Sequence, residues 1–386
     1  MGNYGVQDAF VKFYPEYRRK HTVTPEQESA AQCIMGCKTG QYGFTKSVCP
    51  SCGYEQIHYA SCGNRNCPCC QGTKPAEWVE ARSSELIEGV PYYHVIMTVP
   101  HELNPLFLSN QKGMYRLLMQ SASDSMVEVA QREENIGGTP GVVAVMHTWG
   151  QTLELHPHVH MLVTGGGLSS PIEFGQKGLR SEFLCPQEHL AGAFRQRFLD
   201  GLKKLRSSDS LSFNGSAEPL RNSYSWEELL TKLYRTQWNV HIKETFNDNG
   251  NAVEYLSRYA YRTAISNSRV LSVSDDGVTI SYKDYRDGQK KTMLLSGEEF
   301  IRRFLLHVLP KGFSRIRYSG FLSNSRKKKC LAMIRRLKRA KERVNRLAGM
   351  TARQRIFALF NVDICECPKC HKHMNMYRLN KVSLQC

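Results

Sequence analysis

The sequence predicts a protein of mixed helices and antiparallel strands, with a small zinc-binding module toward the N-terminus and a basic helix toward the C-terminus. Three observations lead there. Stretches dense in β-branched and aromatic residues, Tyr92 to Val99, Val142 to Trp149 and His158 to Val163, alternate with helix-period segments. Cysteines fall in Cys-x2-Cys pairs at Cys49/Cys52 and Cys67/Cys70. Between Arg326 and Arg346 there are eleven Lys or Arg and a single acidic residue, Glu342.

A chain of 386 residues suggests two or three domains, drawn here at 1–90, 91–310 and 311–386. Lys and Arg number 52 against 35 Asp and Glu, a formal charge of +17, so a polyanionic partner is expected and nucleic acid leads the list. An anionic membrane is the competing partner. No run of about 18 apolar residues exists and Met1 to Lys20 lacks a signal-peptide core, so the protein is expected to be soluble and intracellular. Fourteen cysteines, clustered in short pairs without an export signal, favour metal thiolates over disulfides.

Residues 1–35 read as helix, with Phe10, Phe13, Tyr14 and Tyr17 as packing positions. Cys37 follows, then Cys49-Pro-Ser-Cys52-Gly, Cys62 and Cys67-Pro-Cys-Cys70. The two Cys-x2-Cys pairs, fourteen residues apart, match the tetrahedral thiolate spacing of zinc ribbons, so Cys49, Cys52, Cys67 and Cys70 are expected to hold a structural Zn2+. Cys37 and Cys62 are candidates for a further zinc, with Cys69 and His58 also spare. Arg65 and Lys74 suit DNA contact or a merely solvated surface.

Tyr92 to Val99 reads as a central strand ended by Pro100, 103–134 as a helix stopped by Gly137 to Gly141, and Val142 to Trp149 as a strand neighbouring His158 to Val163. The two-residue strand period puts His158 and His160 on one face while Val159, Met161 and Val163 point into apolar packing. Paired imidazoles are a divalent-metal candidate. Folding back through the turn at Glu154 to Pro157 would bring the side-chain oxygen of Gln151 near both rings; His147 and Glu154 are alternatives, and Pro157 is expected to break the strand before His156. Mixed nitrogen and oxygen ligation with open positions suits Mg2+ or Mn2+ presented to a phosphate.

Phe194, Phe198, Leu202 and Leu205 mark a helix with a basic side, 207–225 reads as loop, Trp226 to Leu233 as helix and Trp238 to Lys243 as strand. In the helix-period stretch 252–262, Tyr255 and Tyr259 stand at i and i+4 on one face, among the basic Arg258 and Arg262. A hairpin is expected over 278–295, a helix over 297–309 and a basic, aromatic strand or loop over 311–318, which carries Arg315 and Arg317. The run from Arg326 to Arg346 reads as an amphipathic helix with Ile334, Leu337, Val344 and Leu347 as its stripe. Its Lys327, Lys328, Arg335, Arg336, Lys338 and Arg339 are expected at phosphates. Cys367 and Cys370, with Cys365, His371, His373 and Cys386 nearby, suggest a C-terminal zinc knuckle.

A metal on His158 and His160 facing a tyrosine pair points to phosphodiester chemistry: the cation stabilises developing charge while a phenol oxygen attacks phosphorus, leaving a phosphotyrosine and a free hydroxyl. Exchange of ester bonds needs no ATP, and the chain has no Gly-x4-Gly-Lys-Ser/Thr phosphate loop. A second tyrosine permits a second cleavage. The DNA strand must be single or locally melted to thread between metal and tyrosine.

His156-Pro-His158-Val-His160 with the following Gly165 to Gly167, Tyr255-x3-Tyr259 leading into Ile265-Ser-Asn-Ser-Arg269, and the cysteine pairs at 49/52 and 67/70 resemble the rolling-circle transposases of the insertion sequence 91 family. These belong to the wider class of HUH endonucleases. The resemblance runs from about residue 30 to 325 in the family's motif order. It implies an α+β HUH nuclease domain whose central antiparallel sheet, flanked by helices, carries the histidine pair. It also implies metal-dependent cleavage and rejoining of single-stranded DNA through a 5′-phosphotyrosine, with Gln151 at the third ligand position, Tyr255 and Tyr259 as nucleophiles, and Arg269 among the DNA-contacting residues. The partners it implies are single-stranded and transposon-end DNA, with hairpins among the candidate ends, in a bacterial, nucleoid-associated cytoplasmic setting, with no membrane and no nucleotide cofactor. A plasmid replication initiator or relaxase of the same class, and a non-catalytic zinc-dependent nucleic-acid-binding protein, are the alternatives.

Overall fold

The structure, a computed structural model, describes residues 4–70, 72–169, 173–175, 184–245, 249–261, 263–284 and 286–379, and for residues 244, 245, 249–252, 255, 258 and 379 it describes the backbone alone. Two helices open the chain, α1 (Val6–Lys20) and α2 (Pro25–Met35). The single helix expected over 1–35 is interrupted because Thr24, followed by Pro25, builds a capping box with Gln27 and starts a new helix. The hairpin β1 (Phe44–Val48) and β2 (Glu55–Tyr59) and the helix α3 (Lys74–Ser83) follow.

The central sheet is built from β3 (Tyr92–Thr98), β4 (Thr139–Trp149), β5 (Leu155–Leu168), the two-residue β6 (Phe174–Gly175), β7 (Asn239–Thr245) and, much later in the chain, β11 (Ile316–Gly320). Its order is β11-β4-β5-β3-β7, with β6 beside the end of β5, and every pairing is antiparallel. The fold class is therefore α+β, as expected. Between these strands come α4 (Asn104–Ser109), α5 (Gln111–Gln131), α6 (Gln187–Ser207), α7 (Ser223–Arg235) and, after β7, α8 (Asn249–Ala260).

Strand alternation sorts the two faces. Tyr93, Val95, Met97, Val142, Ala144, Met146, Val159, Met161 and Val163 bury one face under Leu118 and Met126 of α5 and Phe194 and Phe198 of α6. Each large apolar side chain removed from water here contributes roughly 1.5–3 kcal/mol. The opposite face carries Tyr92, Val143, Val145 and Leu162 under Trp78 of α3 and Val253, Leu256 and Ala260 of α8. His94, His147, His158 and His160 share the parity of this second face.

Pro157 does not end the strand. It lies inside β5, where the β4 pairing shifts register between His147 and Trp149, so the missing N–H interrupts no regular ladder.

A second three-stranded sheet, β8 (Val270–Val273), β9 (Val278–Lys283) and β10 (Lys290–Leu295), is followed by α9 (Gly297–Leu306). Its core joins α1 and α2: Phe10 meets Phe304 edge to face at 4.9 Å, and Ala30, Ile34, Val278 and Ile280 are buried with them. The cores thus cross the sequence divisions drawn at 90 and 310.

The C-terminal part holds α10 (Lys327–Lys338), α11 (Ala352–Phe360) and β12 (Asn375–Leu379). The long basic helix expected over 326–346 is corrected to twelve residues. Arg339 adopts a left-handed conformation (φ 52°) and Ala340 N–H returns to Arg335 O, a C-terminal cap. Leu331 and Ile334 form its buried stripe, while Leu337 and Val344 are exposed. β12 pairs with β1, opposite β2, so the end of the described chain completes the N-terminal hairpin as a three-stranded sheet.

Candidate functional site

The register brings three histidines together. His158 lies directly opposite His147, and His160 is two residues along the same face of β5. All three are buried, and one ring nitrogen from each lies within 4.8 Å of the others. Nε2 of His158 and Nε2 of His160 are 3.1 Å apart, the separation two imidazole nitrogens take when each sits at about 2.1 Å from one ion.

Hydrogen bonds set the tautomers. Nδ1 of His158 is 2.6 Å from the carbonyl of His156; a carbonyl only accepts, so Nδ1 carries the proton and Nε2 keeps its lone pair. Nε2 of His147 is 2.7 Å from the carbonyl of Tyr259 and donates by the same reasoning, so its proton sits on Nε2. Nδ1 of His160 is 3.0 Å from Nε2 of His94, and the two rings stack with planes 4° apart. Burial holds both His158 and His94 down to about 4, so both are neutral near pH 7, and for His94 the nearby His241 and Lys243 add to the effect. His158, neutral and with the Nε2 lone pair free on the side of His160, is the kind of donor a divalent cation requires. The residues fit a metal.

Helix α8 lies over this centre. The Tyr259 ring stacks on His160 at 3.9 Å between centroids. Tyr255 and Arg258 belong to the same helix, with side chains outside the described residues, and Arg262 lies outside them altogether. Tyr261 packs edge to face with Trp78, and burial raises its phenol above the usual range.

Gln151 sits in the turn between β4 and β5. There Arg269 donates to its backbone carbonyl and the N–H of Lys283 on β9 approaches its side-chain oxygen at 3.5 Å. The imidazole that joins the pair is His147, one of the two alternatives for the third position. His94 was missed. The signal available was its strand parity with the histidine face across β3, but local pattern does not reveal that β3 is the other neighbour of β5.

The cysteines divide differently from their spacing. Cys37, Cys62, Cys67 and Cys70 form one cluster, and Cys49, Cys52, Cys367 and Cys370 another, the sulfurs of each lying within 4.8 Å of one another. The single site drawn from Cys49, Cys52, Cys67 and Cys70 is therefore split. In the first cluster, Cys70 Sγ is 3.3 Å from Cys37 and 3.2 Å from Cys62. Four sulfurs so placed fit one tetrahedral zinc.

Several of the cationic residues expected at DNA are committed to the fold. Arg269 also donates to Ser281 O, Lys327 pairs with Glu85 at 2.6 Å, Arg335 donates to Ser84 O and Lys338 lies over the Phe174 ring. Arg65 donates to the carbonyls of Leu309, Pro310 and Phe313. Burial, reinforced by Arg65, lowers Arg315 to about 10, and Arg317 lies over the Phe313 ring. Lys328, Arg336 and Arg339 are exposed on α10 and its cap. Among the described residues no helix is long and apolar enough to cross a membrane.

Comparison with known proteins bears on these features. A family described as "Transposase zinc-binding domain" matches residues 9–99, and one described as "Putative transposase" matches residues 141–329, a span holding the three clustered histidines and α8. The chain is 35% identical over 383 residues to "Putative transposase y4qJ" of Sinorhizobium fredii (strain NBRC 101917 / NGR234), covering 95% of this chain and 93% of that protein. It is 28% identical over 298 residues to the transposase for insertion sequence element IS801 of Pseudomonas savastanoi pv. phaseolicola, covering 75% of this chain and 69% of that one. No solved structure matches. The similarity to y4qJ spans nearly all of both proteins and the two matched domains follow the order the motifs imply, so the chain belongs to the insertion sequence 91 family of transposases and carries that family's N-terminal zinc-binding domain.

Proposed function

We propose that this transposase cleaves and rejoins single-stranded DNA through a covalent 5′-phosphotyrosine, with α8 supplying the nucleophile to a phosphate held at the histidine centre. The observation that carries the reading is the Tyr259 ring stacked at 3.9 Å on His160, one of three histidines with a ring nitrogen within 4.8 Å of one on each of the others. His147, His158 and His160 would hold the ion. Gln151, on the adjoining turn, is the further candidate that the resemblance implies. Three imidazole donors favour Mn2+ over the harder Mg2+. A divalent ion bound there supplies positive charge to a non-bridging phosphate oxygen.

The protein residues do the rest. The phenol oxygen of Tyr259 or Tyr255 loses its proton and attacks phosphorus; the new O–P bond forms as the bond to the 3′ oxygen breaks, and that oxygen leaves as a hydroxyl after taking a proton. Attack by a 3′ hydroxyl on the phosphotyrosine reverses the exchange and rejoins a strand. His158 and His94, neutral near pH 7 because they are buried, keep the donor set competent. The exposed Lys328, Arg336 and Arg339, with Arg258 and Arg262, are assigned to the DNA backbone, and transposon-end DNA is the proposed substrate.

The decisive experiment incubates the protein with labelled single-stranded DNA and Mn2+ and examines a denaturing gel. A covalent adduct should form and disappear in the Tyr255→Phe/Tyr259→Phe variant; an adduct that survives both substitutions would sink the assignment.

A further inference from the structure

The cysteine cluster formed by Cys49, Cys52, Cys367 and Cys370 lies partly outside the matched zinc-binding domain, which ends at residue 99. Its two halves repeat each other. Cys49-Pro-Ser-Cys52-Gly53-Tyr54 and Cys367-Pro-Lys-Cys370-His371-Lys372 share the order Cys-Pro-x-Cys. In the first, Cys49 N–H donates to Tyr54 O and Gly53 N–H to Cys49 O; in the second, Cys367 N–H donates to Lys372 O and His371 N–H to Cys367 O. The fifth residue of each is left-handed, Gly53 at φ 68° and His371 at φ 58°. His371 adopts without glycine's freedom the conformation that glycine supplies in the first half.

These matched turns face each other. Cys49 Sγ is 3.5 Å from Cys370 Sγ, and Cys52 Sγ is 3.6 Å from Cys367 Sγ. Four Zn–S bonds of about 2.3 Å make a tetrahedron with edges of ~3.8 Å. Cys49, Cys367 and Met374 are buried together, and the strand β12 that follows the second turn pairs with β1, which precedes the first.

We infer that Cys49, Cys52, Cys367 and Cys370 bind a second structural zinc, which joins two parts of the chain more than 300 residues apart and is distinct from the zinc of the Cys37, Cys62, Cys67 and Cys70 cluster. Binding converts four thiols to thiolates and releases their protons to solvent. The N-terminal zinc module of this protein is thus completed by its C-terminal segment.

The test uses the full-length, zinc-loaded protein, alkylated with N-ethylmaleimide under rising concentrations of a zinc chelator and mapped by mass spectrometry. Cys49, Cys52, Cys367 and Cys370 should be shielded at first and lose protection together, in a step of their own. Exposure of Cys367 and Cys370 at a different chelator concentration from Cys49 and Cys52, or their reactivity in the loaded protein, overturns the inference. A second measurement counts zinc that resists dialysis against a weak chelator. Cys367→Ser/Cys370→Ser should lower it from two per chain to one, and should expose Cys49 and Cys52 while Cys37, Cys62, Cys67 and Cys70 remain shielded; two zinc ions in that variant overturn the site. Should the variant fail to fold, the wild-type titration decides.

Discussion

The backbone carbonyl of Tyr259 accepts a hydrogen bond from Nε2 of His147 at 2.7 Å. The residue proposed as nucleophile therefore orients a residue proposed as metal ligand, and does so through an atom that side-chain substitution leaves in place. Helix position and ligand tautomer are coupled.

Tyr259→Phe should consequently keep metal binding and lose chemistry. The carbonyl stays and the phenylalanine ring can still stack on His160. Covalent adduct formation should fall about a thousandfold or more if Tyr259 is the first nucleophile. Gel quantification of the adduct, beside Mn2+ titration of the same variant, checks both halves; an unchanged adduct yield would move the first attack to Tyr255.

His94 is proposed to position rather than ligate. Its Nε2 lies 3.0 Å from Nδ1 of His160, so with His160 ligating through Nε2 it would accept the Nδ1 proton and fix which His160 nitrogen faces the centre. His94→Phe retains an aromatic ring beside His160 but removes the acceptor. Mn2+ affinity, measured by calorimetry, should weaken about 10- to 100-fold with the thermal transition little changed. Equal affinity in the variant would show that His160 needs no such partner.

Acid should destabilise the fold through buried neutral histidines. His307, bonded through its ring to Thr148 Oγ1 and to Leu153 O, is lowered from 6.5 to about 4 by burial. Between those values the unfolded chain takes up a proton that the folded chain refuses, so stability falls as pH drops from about 6.5 to 4 and is insensitive to this group above that window. His307→Gln should flatten the slope by at most about 3 kcal/mol across it. Denaturant melts at pH 7 and pH 5 supply the comparison.

Gly167 faces the backbone of Gly138 where β4 and β5 pair. A Cβ there would lie 2.7 Å from the carbonyl carbon and oxygen of Gly138, atoms that cannot turn aside as a side chain can. Gly167→Ala should cost about 1–3 kcal/mol in equilibrium unfolding. Mn2+ stoichiometry of the folded fraction should be unchanged.

On α10, position decides what a charge does. Arg336→Ala removes an exposed cation and should weaken DNA binding while reducing the salt slope by about one. Arg335→Ala removes a guanidinium that bonds Ser84 O, so its larger effect should be on the melting temperature. Equal salt slopes in wild type and Arg336→Ala would exclude that side chain from the phosphate contacts.

Much of this was legible in local pattern. Strand alternation put His158 and His160 on one face with Val159 and Met161 opposite, as the sheet has them. The order of β11, β4, β5, β3 and β7 was not legible, since it depends on which distant segments pair, and with it went His94. Periodicity overran α10 because basic residues continue beyond Arg339, where a left-handed cap turns the chain aside. Spacing joins Cys49/Cys52 to Cys67/Cys70 because it records only which thiols are near in sequence, whereas Cys52 finds Cys367 at a separation of 315 residues.

That β1 pairs with β12 also says something about synthesis. A chain made at ~10 residues per second leaves β1 waiting on the order of half a minute for its second neighbour. Through that interval the first hairpin stands with an open edge, while the central sheet and the histidine centre emerge and can form. The order in which the parts are completed is therefore inverted relative to their order in the gene: the module begun first is closed last.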